Sequence, residues 1–161
     1  MSVYGNSNTP FVIGVLSVAV LGMTAWCGYA LWGQMKAERI QNKMRSLSVV
    51  VCNYAKDNSG YCPEDLGVLI DGRYGVDGHL YRAADNAASP KTGSDVRAGL
   101  CDFAYMGKGM KMNTAAAKKN GEEDSRAFPI LYLKEPFRGE WLVVYSDGRP
   151  EAYESKPGFL K

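Results

Sequence analysis

The chain has 161 residues, 46% of them hydrophobic, and a formal net charge of +2. That length suits one domain, and a charge so small and dispersed excludes the basic footprint of a nucleic-acid binder. Every Asp, Glu, Lys and Arg lies between Lys36 and Lys161, so the sequence divides into an apolar N-terminal part, 1–35, and a body of ordinary composition, 36–161.

The apolar part centres on "FVIGVLSVAVLGMTAWCGYALW", residues 11–32. These 22 uncharged residues would rise about 33 Å as a helix, enough for a bilayer core. Thr9 suits an N-cap and Pro10 the first helical position. Trp26, Tyr29 and Trp32 gather toward the far end, where amphipathic rings favour a membrane interface. A cleaved signal peptide is disfavoured, because residues 1–10 carry no Lys or Arg and the apolar run is long. The expectation is therefore a retained single-pass transmembrane helix with the lipid bilayer as partner. Gly14, Ser17, Gly22 and Gly28 would let neighbouring helices approach closely.

Beyond Trp32 the helical pattern becomes amphipathic. Ile40, Met44, Leu47, Val51 and Tyr54 recur at spacings of four and three, which places them on one face of a spine helix over 36–57. Lys36, Glu38, Arg39, Lys43 and Arg45 fall mostly elsewhere. Asn58, Ser59 and Gly60 stop the helix. Pro63, Glu64 and Asp65 suit the first turn of a short helix over 63–71, ended by Gly72.

Residues 73–100 are rich in Gly, Ala, Asp and Asn without a clear period and read as a loop. An antiparallel sheet follows over 101–154. Its strands are "CDFAYM" (101–106), "PILYLK" (129–134), "WLVVYS" (141–146) and "RPEAYE" (149–154), rich in β-branched and aromatic residues. Asp147-Gly148 signals a two-residue hairpin, and Pro136, Arg138 and Gly139 mark another turn. Residues 107–127 read as a further loop. The fold class is α+β, with the stripe from Ile40 to Tyr54 covering the sheet's apolar face.

This order of elements resembles the type IV pilin and type II secretion pseudopilin superfamily. "NSGYCPEDLGVLIDGRY" looks like the segment after the pilin spine, where a Gly-Tyr-Pro turn precedes a short helix. "CDFAYMGKGMK", "FPILYLKEP" and "WLVVYSDGRPEAY" resemble the closing sheet of pilin-like proteins. The chain departs from the family at its start: Pro10 precedes Phe11, Val15 stands where a glutamate would fall, and residues 1–35 hold no carboxylate. The usual prepilin cleavage motif and glutamate are thus lacking. The resemblance implies a structural subunit of a membrane-anchored filament or secretion apparatus. Such a subunit assembles through its N-terminal helix with other pilin-like subunits or secretion-system proteins. It also implies a bacterial inner-membrane location with the body exported, against the positive-inside preference set by Lys36, Arg39, Lys43 and Arg45. The alternative is a non-polymerising, membrane-tethered binding module that uses residues 73–127.

The chemistry-bearing residues are sparse. Cys27 reads as a packing residue. Among Cys52, Cys62 and Cys101 at most one disulfide forms, with Cys62–Cys101 and Cys52–Cys101 favoured over the third pairing; an oxidising compartment would support either. His79 is the sole histidine and reads as a loop residue. "GKGMK" (107–111) reads as a solvated turn. Asp71, Asp77, Asp85 and Asp95 are candidate oxygen donors to Ca²⁺, but their spacing matches no EF-hand. No metal or cofactor, no small-molecule substrate and no enzyme activity is expected.

Overall fold

A computed structural model describes residues 9–72, 74, 76–112 and 127–160, with side chains from residue 21 onward. The chain forms two compact units, Met1–Glu38 and Arg39–Lys161.

Helix α1 runs from Thr9 to Asp57. The expectation of a single-pass span, and of an inner-membrane location built on it, is corrected: among the described residues no helix is long and apolar enough to cross a membrane. The described apolar run ends at Met35, where Lys36, Glu38 and Arg39 begin.

The second unit is an α+β body. Four strands, β1 (Phe103–Tyr105), β2 (Pro129–Leu133), β3 (Trp141–Tyr145) and β4 (Pro150–Tyr153), form an antiparallel meander in the order β1-β2-β3-β4. Ile40, Met44, Leu47, Val51 and Ala55 of α1 are buried in one cluster with Phe103, Ile130, Leu131, Leu133, Leu142 and Val144 of the sheet. Tyr54 is half-buried against the same cluster. The i, i+4, i+7, i+11 spacing delivers a continuous apolar stripe, and each fully buried side chain in it contributes about 1.5–3 kcal/mol.

The end of α1 explains the sequence that follows. Ser59 adopts φ 57° and Gly60 φ 88°. The Gly60 N–H returns to Ala55 O at 2.7 Å, the six-to-one bond of a Schellman stop. The reversed chain pairs with residues 110–112: Cys62 N–H donates to Met110 O at 3.0 Å and Met112 N–H to Gly60 O at 2.8 Å. So part of the expected 107–127 loop is fixed against the stop, while 113–126 lies outside the described residues.

The expected helix over 63–71 is shorter, α2 (Gly67–Asp71). The expected loop 73–100 holds a 3₁₀ turn, Gly78–Tyr81, and helix α3 (Gly93–Arg97). Thr92 and Asp95 form a reciprocal capping box at α3, which satisfies amide donors that a helix start otherwise leaves unpaired. Tyr81, with its ring fully buried, donates from its hydroxyl to Leu66 O at 3.0 Å.

The hairpin between β3 and β4 closes with three residues rather than two. Gly148 N–H donates to Tyr145 O at 2.9 Å and Tyr145 N–H to Arg149 O at 3.0 Å, with Gly148 at φ 84°. This is a type I turn followed by a left-handed residue. Asp147 Oδ1 draws it tighter by accepting from Arg149 N–H at 3.0 Å. The two-residue turn lies one hairpin earlier, where Arg138 (φ 55°) and Gly139 (φ 87°) sit inside reciprocal Phe137–Glu140 bonds. A bulge between Pro129 and Leu131 puts Ile130 and Leu131 together in the core, which strict alternation would have prevented.

Candidate interaction surface

In the first unit the large apolar residues are turned out. Leu21, Met23, Trp26, Tyr29, Leu31, Trp32 and Met35 are 52–73% exposed. At 3.6 residues per turn they point to every side of the helix rather than along one stripe. A helix that is apolar all round requires cover on all sides. Lys36 Nζ sits 3.7 Å from the centre of the Trp32 ring, a cation–π contact at the polar end of this surface.

Gly22 and Gly28 have open space where a Cβ would be. Six residues apart, they stand about 120° apart around the axis. Gly14 and Ser17 are helical, but their side chains lie outside the described residues.

In the second unit the basic residues of α1 hold surrounding segments. Lys43 Nζ binds Asp85 Oδ1 at 2.6 Å and Arg82 O at 3.1 Å, and Arg39 reaches Asp85 Oδ2 at 3.2 Å. Arg45 Nε donates to Gly148 O at 3.3 Å. The hydrogen bond and charge of Lys43, helped by Arg39, hold the Asp85 carboxyl below its usual range.

The structure does not bring the candidate Ca²⁺ donors together. Asp71 accepts from Gly93 N–H and pairs with Arg97; Asp77 accepts from His79 N–H; Asp85 pairs with Lys43; Asp95 accepts from the N–H groups of Lys91 and Thr92. Among the described residues no group of three acidic, Cys or His residues is placed to hold a metal ion. Each Asp closes a turn or pairs with a cation; the turns at Asp77 and Asp95 lie within local spacing, whereas Asp71 and Asp85 use partners 22 to 42 positions away.

All four cysteines are free thiols, so neither expected pairing, Cys62–Cys101 nor Cys52–Cys101, is formed. Cys62 and Cys101 are buried and Cys52 half-buried. Burial pushes all three thiols up, with the Lys56 charge opposing this at Cys52, Tyr105 at Cys62 and the Phe103 backbone at Cys101. They serve as small apolar side chains in this core. His79 lies exposed, its ring 3.0 Å from Ser89 Oγ.

The chain matches no protein-family model, no curated protein and no solved structure.

Proposed function

We propose that the chain is a pilin-like structural subunit of a filament or secretion apparatus, assembled through its N-terminal helix. The observation that carries this is the exposure of Trp26, Tyr29, Leu31 and Trp32 on different sides of α1. An exposed apolar surface of this extent marks an interaction site. A dimer would cover one side of such a helix, whereas a bundle of several copies covers them all. The body supports the reading: a helix stripe packs on a four-strand meander, a tight stop follows the helix, and a short helix comes next. In this arrangement the helices form the assembly's core and the bodies meet partner proteins.

Sedimentation velocity of the full chain over a range of concentrations tests the proposal. The expected result is a concentration-dependent assembly well above dimer. Trp26→Glu with Leu31→Glu should disperse it while leaving the melting temperature of the body unchanged. A wild-type chain that stays monomeric overturns the reading, as does an assembly that survives both substitutions.

A further inference from the structure

β1 is an edge strand with hydrogen-bonding capacity to spare. Its ladder with β2 uses even-numbered residues: Lys134 N–H donates to Asp102 O and Met106 N–H to Ile130 O, both at 2.9 Å, with Ala104 opposite Tyr132 between them. Backbone groups alternate along an antiparallel strand, so the N–H groups of Phe103 and Tyr105 point away from β2. Among the described residues neither has an acceptor. The opposite edge differs. There Pro150, which lacks an N–H, occupies one of the outward positions of β4, a common way to blunt an edge.

Phe103, Ala104 and Tyr105 of β1 line an open cleft of about 250 Å³, shared with Leu66 just before α2 and with Val96 and Arg97 of α3. The cations of the cleft are not equivalent. Arg97 is held by Asp65 at 3.0 Å and Asp71 at 3.2 Å. Lys108 pairs loosely with Glu64 at 3.7 Å. Lys134 donates to Cys101 O at 2.8 Å and has no carboxylate partner among the described residues. A cleft with free main-chain donors and an unneutralised ammonium suits an extended chain bearing a carboxylate side chain.

We propose that the outer edge of β1 takes an extended acidic peptide segment of a partner protein as a fifth strand. Main-chain bonds form at Phe103 and Tyr105, and a glutamate or aspartate of the peptide reaches Lys134. This site is independent of α1 assembly, so neither proposal depends on the other.

The test is amide hydrogen exchange by NMR on the full chain, with acetyl-Val-Glu-Val-Glu-Val-amide and the same peptide carrying Lys for Glu. The Glu peptide should slow exchange of the Phe103 and Tyr105 amides about tenfold or more, as expected for newly bonded donors. The Ala104 amide, already bonded to β2, should change little. Lys134→Glu should turn the preference toward the Lys peptide. Failure of the Glu peptide to slow those two amides at millimolar concentration overturns the proposal. So does slowing by both peptides alike, with no response to Lys134→Glu.

Discussion

Gly67 and Gly93 meet backbone to backbone: a Cβ on either residue would lie 2.6 Å from the carbonyl oxygen of the other. Helices α2 and α3 cross at this point, and Asp71 Oδ1 accepts from Gly93 N–H at 2.9 Å beside it. No side chain fits: the facing carbonyl oxygens are rigid backbone, and at Gly93 the Asp71 carboxylate lies closer still, 2.2 Å from the site of a Cβ. Gly67→Ala and Gly93→Ala should each destabilise the body by about 1–3 kcal/mol, the usual cost of overpacking a tight contact. Thermal unfolding should show a fall of several degrees for either, and unchanged melting would refute the close crossing.

Ser59 occupies the left-handed position of the α1 stop, where a Cβ costs roughly 1–2 kcal/mol. Gly there removes that strain but loosens the unfolded chain by about 0.5–1 kcal/mol. Ser59→Gly should therefore stabilise by about 0.5–1 kcal/mol. The neighbouring substitution has the opposite sign. Gly60 combines φ 88° with Met112 O only 3.2 Å from the site of a Cβ, so Gly60→Ala should lower the urea midpoint.

Acid should weaken the body through its structured carboxylates. Partial burial pushes Asp65 up, but the hydrogen bond and charge of Arg97, with the N–H groups of Gly67 and Val68, reverse this and hold it low. The N–H groups of Lys91 and Thr92 hold Asp95 low in the same way. Each folded-state pKa is depressed, so the folded chain favours the ionised form. The stabilisation is complete above the unfolded value near 4 and is lost as pH falls through the folded values. Urea midpoints measured from pH 7 downward should be level at first and then drop below about pH 4. Asp65→Asn should be less stable at pH 7 and show a shallower acid decline.

The stripe on α1 distinguishes residues that differ only in direction. Leu47 is fully buried, and Val49, two positions on, is 52% exposed. Leu47→Ala should cost about 2–5 kcal/mol through lost burial and the cavity left behind. Val49→Ala should stay within about 0.5 kcal/mol. Equal effects would contradict the packing of α1 on the sheet.

How much of this was legible depends on the range over which each signal acts. The stripe from Ile40 to Tyr54 and the four strand segments were readable, because period and β-branched composition are local properties. The stop at Asn58–Gly60 was readable for the same reason. The crossing at Gly67 and Gly93 was not, since two glycines 26 positions apart carry no joint signal in one sequence. Asp147-Gly148 pointed to the right place and the wrong loop length, because the Asp147 side chain and the left-handed Gly148 suit a three-residue closure as well. The bulge at Ile130 was hidden by an alternation that the fold overrides. The apolar run misled in another way: a run without charge suggested a span, while among the described residues no helix is long and apolar enough to cross a membrane. The free edge of β1 could not be read at all, because edge position belongs to sheet order.

The cysteines offer a readout of both units at once. Cys27 is exposed on the apolar part of α1, whereas Cys62 and Cys101 are buried. Burial lowers access and, by raising the thiol pKa, also reduces the reactive thiolate. Dispersed chain treated with iodoacetamide at pH 8 should therefore be modified at Cys27 first. Cys62 and Cys101 should react only as the body unfolds, which peptide mapping by mass spectrometry would show. In the assembled form, neighbouring helices should cover Cys27 and slow its modification, with the buried pair unchanged. Equal Cys27 reactivity in the two forms would mean that assembly does not use this helix. Rapid labelling of Cys101 in folded chain would contradict its place in the core.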